Sequence, residues 1–576
     1  MKKYLSIIAL AALTLTGCDE SLLEIPQKGV ISTETFYKTD ADAESALVTM
    51  YADALANFTF MPEVTGYNTS PVTSMLNYLG DDIVTAGQNK ADNVAECEYH
   101  TFRYATNCQF VDGGYKAYYR AIHKANLLIN NFEVDGATLT PVQKRCIAEA
   151  RAFRAYCHLM LGICWGTPPI VETVLTGADQ PANSKSQADV MQWVANEIDK
   201  ALPDLEERKS PTDLEGAVKV TKGFANAVKG KALVWKGDYA AAKVALKAVI
   251  DSKKYELIST DRMEEILHYS GTANEEVVME LSYVWDDMID GWTAYQRQSG
   301  NQPILWNWRW DKMEPSNDPR LMCNGWGEIT PSELFINTLI AHDGMDSPRR
   351  KAWVKTYDEV LYDFSYPSDG DAFTPGKTDA KAADAGRGIR AADGLYGSVG
   401  YFMWKRNVHA DDDNNTAAQA KWGFPLMRYP EVLLLYAECC AQTGDADGLK
   451  VLNQIQDRAG SAHRSTACTL AEVQEEKIIE CWLEGLRFWD LVRWNKTETL
   501  EKQGASFPNF CDAMFTKGEP VHRGYIERGE EDWCTKQYGA AVGFKKGQHE
   551  LLPFPYTEMV LNRSLVQNPG WQKEAE

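Results

Sequence analysis

Two stretches of this chain follow one plan, and that plan narrows the fold to stacked helical pairs. Residues 225–250 read ANAVKGKALVWKGDYAAAKVALKAVI, and residues 430–455 read PEVLLLYAECCAQTGDADGLKVLNQI. At an offset of 207 residues, Gly237-Asp238 falls on Gly444-Asp445, Ala245 on Leu452 and Leu246 on Asn453. Each stretch is an apolar helix, a Gly-Asp turn and a second amphipathic helix with small residues facing inward, the logic of a tetratricopeptide-type pair. Such a pair cannot bury its own apolar face, so at least three must stack. Residues 113–133 and 141–165 supply another pair, and residues 40–57 carry the same apolar spacing of three and four. Thr140-Pro141 is a sound helix entrance, with Pro in the first turn, and Pro168-Pro169 stops that helix. The two best repeats are not contiguous: about 180 residues lie between them.

Composition changes inside that interval. Residues 283–326 are rich in Trp, Asn, Gly and Pro, and residues 366–400 are rich in Gly, Asp and Ala. Both read as long loops on a rigid frame, where binding residues concentrate. A short strand is expected at 401–405. Six of the 17 tryptophans (Trp285, Trp292, Trp306, Trp308, Trp310 and Trp326) fall within 42 residues. Trp306, Trp308 and Trp310 alternate, so an extended backbone would turn all three indoles to one side. A sugar has an apolar CH face and a polar rim, which a flat indole beside Asn, Asp or Arg can match. Trp292, Trp306, Trp308, Trp310 and Trp326 are therefore candidate platforms. Asn307 and Arg309 supply the rim, with Asn301, Asp311 and Asn317 nearby. The competing reading for any one indole is that it plugs the loop onto the helices.

Other chemistries find little support. A formal net charge of −22 disfavours nucleic acid and anionic lipid as partners. The 13 cysteines contain no CxxC, and nine scattered histidines give no zinc spacing. Cys157 and Cys164 read as small buried hydrophobes. Asp411-Asp412-Asp413 opens like a calcium loop, but it lacks the Gly at the sixth position and has Trp422 where a bidentate Glu belongs. No HExxH, GxSxG, GxGxxG or P-loop occurs. No metal, cofactor or catalytic residue is expected. Asp81-Asp82 is the most conspicuous acid pair, although adjacent residues point differently, and it reads as loop hydrogen bonding to a ligand or to the backbone. Residues 484–494, EGLRFWDLVRW, read as a structural helix in which Asp490 and Arg493 can pair.

The N-terminus reads as an address. Lys2 and Lys3 precede an apolar run over residues 5–15, and small residues then lead into Cys18, the order of a bacterial lipoprotein signal. The run is short of the ~20 residues needed to span a bilayer. Residues 1–17 are therefore expected to be a signal peptide, with a lipidated tether at 18–30 and lipidation at Cys18.

Together these segments resemble the SusD/RagB family of surface lipoproteins of Bacteroidota. The resemblance rests on EGLRFWDLVRW (484–494), MRYPEVLLLYAE (427–438), EARAFRAYCHLMLGICWGTPPIV (149–171), LLPFPYTEMVLNRSLVQNPGW (551–571) and the acidic Asp19-Glu20 after Cys18. It departs at Leu486-Arg487, where a polar residue often precedes the Arg. The resemblance implies a mainly α fold with minor β: tetratricopeptide-like helical pairs forming a frame, with a large loop-rich insertion carrying the ligand site. The body would be a single unit over 31–576, with frame at about 31–280 and 425–500, ligand region at 283–424 and a C-terminal segment at 500–576. It also implies an outer-membrane surface protein capping a SusC-type TonB-dependent transporter and delivering captured oligosaccharide to it, with no bond broken. Tyr78, Asp81 and Asp82 lie where family members often contribute a ligand loop. Peptide capture by the same fold, glycoside hydrolysis by paired carboxylates, and a protein-binding scaffold remain as alternatives.

Overall fold

Capping chemistry sets the helix boundaries. The computed structural model describes residues 36–61, 64, 70–85, 94–267, 273–282, 305–306, 313–314, 329–356, 359, 388–389, 401–406, 423–503, 513–516, 519–521 and 543–571. The helices are α1 (Asp40–Thr59), α2 (Pro71–Asn77), α3 (Val94–His100), α4 (Gln109–Phe132), α5 (Pro141–Trp165), α6 (Gln187–Ala201), α7 (Leu214–Ala217), α8 (Lys222–Lys236) and α9 (Tyr239–Ser252). They continue with α10 (Glu333–Asp343), α11 (Pro348–Trp353), α12 (Tyr429–Thr443), α13 (Asp447–Ala459), α14 (Leu470–Glu480), α15 (Arg487–Arg493) and α16 (Tyr556–Leu561). Thr39 with Asp42, and Thr140 with Gln143, form reciprocal capping boxes at the starts of α1 and α5. The expected helices at 40–57, 113–133 and 141–165 are α1, α4 and α5.

The Gly-Asp turns work in two halves. Gly237 and Gly444 end α8 and α12 in the left-handed region, at φ 84° and 70°, where a Cβ would be strained. Asp238 accepts from the Ala241 amide to start α9, and Asp445 accepts from the Asp447 amide at the start of α13. Small residues do face inward: a Cβ on Gly230 would sit 2.5 Å from Leu246 Cγ.

Neighbouring helices then stack in series. Contacts run α1–α4–α5–α6–α8–α9–α12, and α12 packs on both α13 and α14. The join between α9 and α12 closes the long interval in sequence. Lys243 Nζ reaches Asp445 at 2.9 Å across it, and the buried Lys231 Nζ meets Glu431 at 2.8 Å. Helix α5 is buried along nearly its whole length, including Cys157 and Cys164. It forms the middle of the core.

The strands are short and pair two by two among the described residues. β1 (Ile83–Thr85) is antiparallel to β4 (Ile329–Pro331), with Val84 opposite Thr330. β2 (Val277–Leu281) pairs with β8 (Phe424–Arg428), and β5 (Val354–Thr356) with β7 (Tyr401–Met403). β3 (Met313–Glu314) pairs with β6 (Gly388–Ile389), and β9 (Ala513–Thr516) with β10 (Glu519–Val521). β7 is the strand expected at 401–405. The first three ladders stitch segments far apart in sequence to the frame. Among the described residues no helix is long and apolar enough to cross a membrane.

A buried ionic lattice ties these ladders to α13 and α14. Arg349, fully buried, donates to Asp343 at 2.7 and 2.8 Å, to Glu480 at 3.0 Å and to Glu476. Arg428 bonds Glu276 and Glu484, and Arg458 bonds Glu276 and Glu480. Burial alone would raise the Glu480 carboxyl, but Arg458, Arg428 and Arg349 outweigh it and hold it below the usual carboxylate range. Removing one member would strand its partners without countercharge in a dry site.

Candidate functional site

Residues 77–85 run between the frame and the inserted region, and their side chains are spoken for. The Asp81 carboxylate takes Arg487 Nε at 2.6 Å and Nη2 at 3.1 Å, with Thr499 Oγ1 as a third donor. Its carbonyl accepts from Ser332 Oγ at 2.7 Å. The Asp82 carbonyl accepts from the Ser332 amide at 3.1 Å and Trp482 Nε1 at 3.2 Å, and Trp482 stacks on Phe335 at 4.3 Å. Burial and the neighbouring Asp81 charge push the Asp82 carboxyl up to about 7. One acid is fully engaged by an Arg and the other is buried, so neither is presented to a substrate. Asp81 and Asp82, expected among the ligand residues, thus sit at the junction, where β1–β4 pairing and the Arg487 clasp hold them.

Tyr78 and Trp306 form the second half of the junction. Both are fully buried, and Trp306 Nε1 donates to Tyr78 Oη at 3.1 Å. Tyr78 also packs against Phe110 of α4, at 5.9 Å between ring centroids. The Arg406 guanidinium lies 5.6 Å from the centre of the Trp306 ring. His100 Nδ1 lies 2.8 Å from the Tyr78 carbonyl. Trp306 was legible either as a platform or as a plug; here it is a plug. Its indole is gripped by Tyr78, because a buried N–H requires a partner. Trp292, Trp308, Trp310, Trp326, Asn307 and Arg309 lie outside the described residues, as do Trp285, Asn301, Asp311, Asn317, Cys18, residues 1–30 and the acidic turn at 411–413.

The 484–494 motif is the clasp that holds this junction. Glu484 accepts from Lys405 Nζ at 2.6 Å and Arg428 Nε at 3.0 Å. Arg487 holds Asp81, and Arg493 bonds Asp490 at 2.9 Å and Glu438 at 2.8 Å. Lys477 completes the set on Asp490 at 2.7 Å. The Asp490–Arg493 pair expected from spacing is therefore present. Arg406, Trp482, Thr499 and Lys405 escaped the sequence reading. Their partners lie tens to hundreds of residues away, and no local periodicity marks them. Among the described residues no group of three or more His, Cys, Asp or Glu side chains could hold a metal ion.

Comparison with known proteins places this architecture. The SusD family description matches residues 275–571, and a description reading "starch-binding associating with outer membrane" matches 70–332. A SusD-like protein of Bacteroides ovatus is 22% identical over 520 residues, covering 86% of this chain and 83% of that protein. A SusD-like protein of Formosa agariphila is 23% identical, covering 86% and 93%. Among solved structures, a laminarin-binding SusD-like protein superimposes with a TM-score of 0.67 at 21% identity, covering 93% of this chain and 100% of that one. Surface glycan-binding protein A from Bacteroides thetaiotaomicron, in complex with laminarihexaose, gives 0.67 at 20% identity, covering 92% and 100%. The family match spans just over half of the chain and contains the whole 484–494 clasp, so this protein belongs to the SusD family.

Proposed function

We propose that the protein is a surface glycan-binding lipoprotein that captures oligosaccharides, leaves them uncleaved and passes them to a SusC-type TonB-dependent transporter in the outer membrane. The observation that carries this reading is likeness along nearly the whole chain to a glycan-binding protein held with its laminarihexaose ligand. The tryptophan-rich segment at 283–326 supplies the ligand surface. Trp306 anchors that segment to the frame through Tyr78, and Trp292, Trp308, Trp310 and Trp326, with Asn307 and Arg309, meet the sugar. Acyl chains on Cys18 tether the body, at ~0.8 kcal/mol per buried CH₂. Asp81 is clamped by Arg487 and Asp82 is buried, which argues against this pair as hydrolytic acids.

Stacking one sugar ring on an indole buries on the order of 100 Å², or ~2.5 kcal/mol. Two or three platforms, less the cost of immobilising a glycan, leave roughly −4 to −8 kcal/mol, a millimolar to micromolar affinity suited to release. The test is a titration with a panel of neutral oligosaccharides, following tryptophan fluorescence and reducing ends together. A saturable fluorescence change with no new reducing ends is expected. Release of reducing ends would overturn the capture reading, and silence to the whole panel would remove the glycan.

A further inference from the structure

The inserted region joins the frame through a narrow collar. The chain passes into it from β2, which ends at Leu281, and comes back through Gly423 into β8. The two strands are antiparallel, with Leu281 opposite Phe424 and Glu280 opposite Pro425. Phe58 of α1 meets Phe424 at 6.0 Å between ring centroids, so the collar leans directly on the frame. Val277, Val278, Met279 and Leu281 are all buried, and Glu280 sits among them at 4% exposed.

Glu280 has no countercharge. Its carboxyl accepts from Ser282 Oγ at 3.1 Å and from the Ala273 amide, both neutral donors. It presses on Gly423, where a Cβ would sit 1.9 Å from Oε1, so the carboxyl fills the space that a side chain at 423 would take. Charged and titratable groups of the elements packed on β2 are engaged elsewhere. Arg428 of β8 pairs with Glu276 and Glu484, Lys231 of α8 with Glu431, Glu215 of α7 with Lys219, and Tyr51 of α1 bonds Glu149. The contrast lies within one segment: Glu276, just before β2, is met by Arg428 and Arg458, whereas Glu280 is met by no cation among the described residues.

An ionised carboxylate in a dry site without a cation carries a desolvation cost that two neutral hydrogen bonds do not offset. Burial accordingly pushes the Glu280 carboxyl up to about 7, with the bonds from Ser282 and Ala273 pulling the other way. Opening the collar returns the carboxyl to water, where it ionises near its ordinary 4.5. Proton release therefore favours the opened collar as pH rises from about 4.5 to about 7, and adds nothing further above that. We propose that Glu280 is a proton-operated pin in the β2–β8 collar: the neutral carboxyl fastens the inserted region to the frame, and its ionisation loosens that attachment. The pin acts on the region that the capture reading gives to the ligand, but it does not depend on what that region binds.

Hydrogen exchange on the full chain tests this between pH 5 and pH 9, read as protection factors corrected for intrinsic rates. The amides of β2 and β8 should lose at least fivefold in protection from pH 5 to pH 8 and change little from pH 8 to pH 9. At pH 8 they should be at least tenfold less protected than the amides of α5, the mark of a local opening. Glu280→Gln keeps the shape and an acceptor oxygen but cannot ionise, and it should hold the pH 5 level of protection at pH 8. Asp82→Asn removes the other buried acid that titrates near 7 and should leave the loss at the collar in place. Absence of a pH step in the wild type, a step that persists in Glu280→Gln or one that vanishes in Asp82→Asn would overturn the pin. Equal protection of the collar and α5 at pH 8 would overturn it too, as global unfolding only.

Discussion

Trp306 offers the sharpest division between anchor and platform. Its indole is fully buried and donates to Tyr78 Oη. An aromatic side chain of this size buries roughly 200 Å², which at 25 cal/mol per Å² is about 5 kcal/mol. Counting from a fully extended unfolded chain makes that an upper bound. The loss observed when a buried Trp is cut to Ala is about 3–5 kcal/mol. Losing the hydrogen bond to Tyr78 adds about 1 kcal/mol. Trp306→Ala should therefore cost at least about 3 kcal/mol in urea denaturation followed by far-UV circular dichroism, whereas Trp308→Ala, at a position proposed to meet the ligand, should cost under about 1 kcal/mol. A double-mutant cycle of Trp306→Phe with Tyr78→Phe should return a coupling of about 1 kcal/mol, the worth of their hydrogen bond. Equal losses at Trp306 and Trp308, or a loss below about 1 kcal/mol at Trp306, would refute the anchor.

Arg349→Met should cost about 3–5 kcal/mol at pH 7, because Asp343, Glu476 and Glu480 then share a dry site with less positive charge. Melts at pH 5 and pH 8 should show a smaller deficit at pH 5, where the orphaned acids can protonate. Asp82, pushed up to about 7 by burial and Asp81, works in the opposite sense from a salt-bridged acid. Its folded state holds a proton that the unfolded state gives up near 3.9, so stability falls as pH rises from about 4 to about 7. Asp82→Asn should remove that slope and gain on the order of 4 kcal/mol at pH 8, as read by denaturation midpoints. Gly237→Ala and Gly444→Ala should each cost about 1 kcal/mol, since the strain is in the backbone and nothing lies within 4 Å of an added Cβ. A markedly larger loss at either glycine would mean that the turn also packs against a neighbour.

The sequence by itself determined the local parts of this protein. Apolar spacing, capping pairs such as Thr140 with Gln143, and the repeated Gly-Asp turns act over a few residues, so α1, α4, α5 and the two helical pairs were readable from the chain alone. The family motifs were readable too, and with them the fold class. Asp490 and Arg493 were readable as a pair because one helical turn separates them. Which Trp is a plug was not. Trp306 is decided by Tyr78, 228 residues away, and Asp81 by Arg487, 406 residues away. Periodicity tells which face of a helix is apolar; only the packed chain tells which polar groups have found partners, because desolvation and countercharge act through space and not along the sequence.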